Sequence, residues 1–160
     1  MQCSESAALR SKDPNTRHGA CIVKDNKILS TGYNGLVNGL NDDGLHIDSF
    51  STNTPTTFIP KNGIIYDYWL PENKESWVIH AEANAILNSR VDISNSILYL
   101  HSDKNYLPCN NCAKMIVQSG IIGIVVKCLP IENSDKYNWD HTKHIFNLGG
   151  VSIRIMDSDK

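Results

Sequence analysis

Two short stretches hold residue types that can do chemistry together: Ile79-His80-Ala81-Glu82-Ala83-Asn84-Ala85-Ile86-Leu87 and Tyr106-Leu107-Pro108-Cys109-Asn110-Asn111-Cys112-Ala113-Lys114. One imidazole and two thiolates suit zinc, and stopping at three protein ligands leaves the fourth tetrahedral position to a water. The thiolate charges offset that of the ion, yet zinc still draws the pKa of such a water towards neutrality and makes a nucleophile available. Glu82, two residues beyond the imidazole, is then the candidate proton carrier.

The spacing dictates what the backbone must do. Cys109 and Cys112 are three apart, so a helix starting near Asn110, behind Pro108, puts both thiols on one face of its first turn. The unpaired amides there favour thiolate. His80 and Glu82 are two apart and share no face inside a helix, so they converge only if His80 sits at the helix entry, before the good helix formers Ala83 to Leu87. Two other readings compete. Cys128, His101, His141 or His144 could close the site as a structural fourth ligand, and Cys-x-x-Cys alone could be a redox pair. The proline before the first Cys, and a separation of about thirty residues with room for one strand between two helices, favour the open catalytic site. His-x-Glu followed by Pro-Cys-x-x-Cys is the signature of zinc deaminases acting on nucleosides and nucleobases.

Elements that position these residues follow from pattern and punctuation. Residues 4–11 predict the end of a first helix, stopped by Asp13-Pro14-Asn15. Gly19 to Lys24 and Lys27 to Tyr33 read as two strands joined by Asp25-Asn26 in a tight hairpin. Gly32-Tyr33-Asn34-Gly35 leaves that hairpin as a loop, and the Asn34 amide offers a donor and an acceptor to a sugar or base. From about 38 to 76 no periodicity persists, which marks an insertion. Phe58, Tyr66, Tyr68, Trp69 and Trp77 argue that its second half is packed down. It reads as a lid or subunit-contact surface, or as a satellite with its own apolar cluster. Its single His46 and lack of Cys give no second zinc site. Ser96 to His101 reads as a buried strand, and residues 110–119 as a helix stopped by Gly120. Ile121 to Lys127 is a central strand, Trp139 to Asn147 a helix, and Val151 to Ile155 the last strand. The order predicts one domain over residues 1–160, with a five-stranded mixed sheet carrying helices on both faces.

Composition narrows the class. The chain of 160 residues is long enough for a core without disulfides. A formal net charge of -2 and no Lys/Arg run argue against a polynucleotide surface. Of five cysteines, Cys3, Cys21 and Cys128 lie outside the motif and read as reduced residues of a cytoplasmic protein. The longest apolar run, Ile121 to Val126, is far too short to span a bilayer, and the start has no signal-peptide pattern.

Taken with Ser11-Lys12-Asp13-Pro14-Asn15-Thr16, Gly19-Ala20-Cys21-Ile22-Val23 and Gly32-Tyr33-Asn34-Gly35, the two metal motifs resemble the deoxycytidylate (dCMP) deaminase branch of the cytidine deaminase superfamily in order and spacing. The resemblance spans roughly residues 6 to 126 without the insertion. It implies an α/β fold, the cytidine-deaminase-like three-layer α/β/α arrangement. It implies hydrolysis of dCMP to dUMP and ammonia, with one Zn2+ on His80, Cys109 and Cys112, and Glu82 as proton shuttle. It places Asn34 and the Ala81 backbone against base and sugar, and leaves Lys12 and Arg17 as the nearest basic candidates for the phosphate. It further implies a homohexamer activated by dCTP with Mg2+ and inhibited by dTTP, with effectors at Tyr33, Asn34 and Gly35. The chain departs from the common pattern after Gly35, where Leu36-Val37-Asn38-Gly39 lacks a proline, and in the insertion, which lacks extra zinc ligands. Rival readings are a deaminase of another cytosine compound (dCTP, modified dCMP, cytidine) and a non-catalytic zinc-stabilised binding module.

Overall fold

The computed structural model describes residues 1–40, 45–46, 66–104, 106–130 and 138–156. The helix α1 (Gln2–Ala8) opens the chain, followed by β1 (His18–Lys24), β2 (Lys27–Tyr33) and four two-residue strands, β3 (Gly35–Leu36), β4 (Leu45–His46), β5 (Tyr66–Asp67) and, after α2 (Pro71–Trp77), β6 (Val78–Ile79). Then come α3 (Ala81–Asn88), β7 (Ile97–Ser102), α4 (Asn110–Gln118), β8 (Gly123–Val126), α5 (Trp139–Leu148) and β9 (Ser152–Ile155). The main sheet has the order β2-β1-β7-β8-β9. β1 runs antiparallel to both β2 and β7, whereas β7, β8 and β9 are parallel, so the sheet is mixed as expected.

Local chemistry explains the joints. Asp25 and Asn26 both take positive φ, 50° and 60°, as a two-residue hairpin turn of matching twist requires. The register of β1 against β2 then shifts between Ile22 and Val23, a bulge in the pair. Gly120, at φ 77°, follows the end of α4 in the left-handed conformation that stops a helix.

Alternation on β1 separates the two faces. Ala20 and Ile22 point into the core with Leu98, Leu100, Ile124 and Val126 of the neighbouring strands, under Ala81 and Ala85 of α3, Ala113 and Ile116 of α4, and Phe146 of α5. Gly19 points the other way, where a Cβ would meet the Ser4 carbonyl and the Ala8 amide of α1. The layers are therefore unequal: α3, α4 and α5 lie on one face and α1 on the other. The parallel crossovers through α4 and α5 step in one direction along the sheet, so right-handedness puts both on the same side.

One element was not legible in the pattern: α2 lies inside the stretch expected to be an irregular insertion at about 38–76. Its sequence, Pro-Glu-Asn-Lys-Glu-Ser-Trp, has no apolar periodicity. Pro71 near its start, where no intrahelical N–H is needed, is the local signal. The expected packing-down of the segment's end is present at Tyr68 and Trp69, both buried, with the Tyr68 and Trp77 rings edge to face at 5.2 Å. Phe58 and the side chains of His46 and Tyr66 lie outside the described residues. Gly32 to Gly35 is also more ordered than a loop, because β2 continues through Tyr33 and Gly35–Leu36 pairs with Val78–Ile79.

Candidate metal centre and active site

His80 takes φ -68° and ψ 155°, extended backbone, as the N-cap of α3, and Cys109 takes φ -67° and ψ 166° as the N-cap of α4. This resolves the spacing problem: His80 stands outside the helix that begins at Ala81, so it and Glu82 can meet. Ala81 and Ala85 of α3 share one buried core with Ala113 and Ile116 of α4, which ties both helices to the same sheet face. His80 Nδ1 lies 3.5 Å from both Cys109 Sγ and Cys112 Sγ, and the three donor atoms are all within 4.8 Å of one another.

That donor set fits a zinc ion, and among the described residues no fourth His, Cys, Asp or Glu joins it. Cys128, His101, His141 and His144 stand apart from the cluster. His101 approaches Asp103 at 3.3 Å and His141 approaches Asn110 at 3.4 Å. A cation here would have three protein ligands and one open position.

Electrostatics divide the two thiols of the cluster. The Cys112 thiol hydrogen-bonds the Cys109 sulfur, which, with help from His80, lowers Cys109 to about 3. The same bond, burial and the Glu82 charge push Cys112 up. The Cys109 sulfur, together with the charge of Glu82, raises His80 against the effect of burial. Glu82 is itself buried, and burial raises its carboxyl while the charge of His80 lowers it. A carboxyl pulled from both sides suits the taking and returning of a proton.

Two adjoining clefts open on the cluster. The aromatic one is lined by residues that include His18, Asn34, Lys74, Glu82, Tyr106 and Trp139. The second, rich in amides, has Asn110, Asn111, Asn138 and Thr142 on its walls. Glu75, His80, Cys109 and Trp139 border both. The His18 and Tyr106 rings stack at 5.9 Å, and Tyr106 meets Trp139 at 5.6 Å. Burial, followed by the charges of His80 and Lys74, lowers His18 to about 4, so it is a neutral ring at neutral pH.

Residues 1–128 match the cytidine and deoxycytidylate deaminase zinc-binding region. The chain belongs to this deaminase family. It is 36% identical over 150 residues to the deoxycytidylate deaminase of Homo sapiens, covering 92% of this chain and 72% of that protein. It is also 36% identical over 156 residues to the probable deoxycytidylate deaminase of Drosophila melanogaster, covering 96% and 68%. Its backbone resembles the crystal structure of dCMP deaminase from the cyanophage S-TIM5 in complex with dCMP and dUMP, with a TM-score of 0.60 at 23% identity. That match covers 97% of this chain and 92% of the other, and it shows a shared fold.

Within this deaminase fold the two polar motifs form one hydrogen-bonded unit. Asn34 Nδ2 donates to Asp13 Oδ2 at 2.9 Å and to the Thr16 carbonyl at 3.0 Å, while its Oδ1 accepts from the His18 amide at 2.8 Å. Both amide hydrogens of Asn34 are committed to the chain, so a ligand contact there runs through an Oδ1 lone pair. Ser11 Oγ donates to the Asn34 carbonyl at 2.8 Å. Of the effector candidates, only Asn34 borders the clefts. Tyr33 lies under the Arg10 guanidinium at 5.9 Å, and Gly35 sits in β3. Ala81, fully buried at the first turn of α3, borders the aromatic cleft.

Lys12 and Arg17 do not border either cleft, and both are exposed. Their neighbours turn inward instead. Ser11 and Asp13 point inward on either side of Lys12, and Thr16 and His18 on either side of Arg17. His18, Lys74, Glu75, Tyr106 and Trp139 were not singled out by the sequence. Nothing in the local pattern identifies Lys74.

Proposed function

We propose that this chain hydrolyses dCMP to dUMP and ammonia, with zinc held by His80, Cys109 and Cys112. The observation that carries the reading is the convergence of exactly this donor trio beside a buried carboxyl, with no fourth protein ligand among the described residues. Its support for dCMP in particular is the identity to proteins named deoxycytidylate deaminases. Bound zinc supplies a Lewis acid and a water acidified towards neutrality at its open position.

The residues of the chain then act in turn. Glu82 takes the proton from the attacking water and passes one to N3 of the pyrimidine, so that the ring accepts the oxygen at C4. It then takes the remaining proton from the new C4 hydroxyl and delivers it to the amino group, so that the C4 carbonyl forms as the C–N bond breaks and ammonia departs. The Ala81 backbone and Asn34 Oδ1 contact base and sugar, and the His18, Tyr106 and Trp139 rings wall the base from water. Residues 1–160 act as one domain, in which α2 brings Lys74 and Glu75 to the aromatic cleft.

No helix among the described residues is long and apolar enough to cross a membrane. A cytoplasmic homohexamer controlled by dCTP with Mg2+ and by dTTP, with effector contacts at Tyr33 to Gly35, belongs to the same proposal. It is supported by the family resemblance. Ultraviolet-monitored deamination of dCMP, dCTP and cytidine side by side, with and without dCTP-Mg2+ or dTTP, tests the reading. Conversion of dCMP in preference to the other two is expected. Conversion of dCTP or cytidine with dCMP untouched would transfer the activity to another cytosine compound, and the effector arms test control.

A further inference from the structure

We propose that Lys74 is the residue by which the cleft distinguishes a nucleoside monophosphate from its nucleoside, an inference that rests on the dCMP reading above. Lys74 is carried by α2, in the segment that interrupts the shared sequence pattern, and it borders the aromatic cleft together with Asn34 and His18. No other lysine or arginine borders either cleft among the described residues. His18 beside it is held neutral by burial and adds no charge at neutral pH.

The ammonium is anchored rather than free. Lys74 Nζ is ion-paired with Asp13 Oδ2, and the Asp13 side chain is fully buried while that of Lys74 is 22% exposed. Asp13 already accepts from the amides of Asn15 at 2.9 Å and Thr16 at 3.2 Å, and from Asn34 Nδ2 at 2.9 Å. It is therefore a rigid positioning residue, fixed by three donors of its own. An ammonium has three N–H donors, and the pair with Asp13 uses one, which leaves two for a ligand.

Asn34 and Lys74 meet on the same carboxylate and both face the cleft. A ligand whose sugar touches Asn34 thus has the ammonium within one side chain's reach. The phosphoester is the one anionic group that dCMP has and deoxycytidine lacks. A charge-assisted bond from a fixed, half-desolvated ammonium is the kind that discriminates between them. Because Asp13 balances the charge of Lys74, recognition comes from these directed donors and not from a broad positive field.

The test compares the affinities of dUMP and deoxyuridine by calorimetry, using the zinc-loaded full chain as wild type, Lys74→Met and Lys74→Gln. Glutamine keeps a donor for Asp13 without the charge, so the test survives if the methionine variant fails to fold. Zinc content and thermal midpoint verify each protein. Wild type is expected to prefer dUMP. Both variants are expected to lose dUMP affinity by about 10- to 100-fold, while deoxyuridine affinity moves less than about twofold. If wild type prefers dUMP and the variants keep the same preference, Lys74 is not the discriminator, although the dCMP reading stands. If wild type shows no preference for dUMP and also fails to deaminate dCMP, the dCMP reading fails and takes this inference with it.

Discussion

Replacing Gly32 by alanine should loosen the contact that sets the position of α3 and, with it, His80 and Glu82. Gly32 pairs with Ala20 on the core face of the sheet, directly beneath α3. A Cβ built there lies 2.3 Å from the Ala81 carbonyl oxygen and 2.3 Å from the Ala85 amide nitrogen. Both are backbone atoms, so no side chain can rotate out of the way, and the helix must move off the sheet. Overpacking of a well-filled core costs about 1–3 kcal/mol. A backbone-against-backbone clash belongs at the top of that range, about 3 kcal/mol. For a domain of this size that lowers the thermal midpoint by about 6 to 12 °C. The displacement acts on the first turn of α3, so zinc affinity and turnover should fall as well. Gly35→Ala is the control, because the nearest atom to its Cβ is a Tyr33 ring carbon at an ordinary 3.5 Å. That change should stay within about 1 kcal/mol of neutral. Thermal melts of the zinc-loaded proteins decide the matter. A Gly32→Ala protein that melts within a degree of wild type and of Gly35→Ala would refute the close-approach reasoning.

Three further outcomes are expected. Cys112→Ser leaves two strong donors of three, so zinc affinity measured by chelator competition should fall by more than about 100-fold, beyond the loss typical of groups that merely support a ligand; retention of stoichiometric zinc at wild-type affinity would contradict the ligand set. His18 has its folded pKa lowered to about 4 against an ordinary 6.5, so the unfolded chain binds the extra proton between those values and stability rises with pH across that window. The loss on acidification from 6.5 to 4 is on the order of 3 kcal/mol. His18→Gln should flatten the dependence of the melting midpoint on pH there, and equal slopes for the two proteins would count against it. Asn34→Ala strips a partner from the Asp13 carboxylate, the Thr16 carbonyl and the His18 amide at once, a cost of about 3–4 kcal/mol that a urea unfolding midpoint would register. A change under 1 kcal/mol would mean that water replaces the amide.

The candidate metal cluster was legible because it is written in short-range spacing. His80, Glu82, Cys109 and Cys112 are fixed by where two helices must begin, and the extended backbone at His80 and Cys109 follows from that requirement. Asp25-Asn26 and Gly120 were legible for the same reason, since each marks a local backbone need. What was not legible depends on closure in space. Lys12 and Arg17 stand next to the right motif in sequence, yet it is their neighbours Ser11, Asp13 and Thr16 that are buried, and both basic residues are exposed. Lys74 comes from a stretch without periodicity and acquires its position only when α2 lands on Asp13. Asn34 was singled out by its setting in Gly-Tyr-Asn-Gly, but its role in joining β2 to the Asp13 loop depends on partners 16 to 21 residues away.

The central claim is that Glu82 moves the protons of a zinc-dependent hydrolysis whose metal site does not need it. The measurement that bears on it most directly is dCMP turnover by Glu82→Gln beside wild type, with zinc counted in both. Glutamine keeps the size and a hydrogen-bonding end but cannot carry the proton. The account predicts full zinc occupancy and turnover reduced by at least about 100-fold. Turnover within a few-fold of wild type, with zinc equally bound, would contradict it.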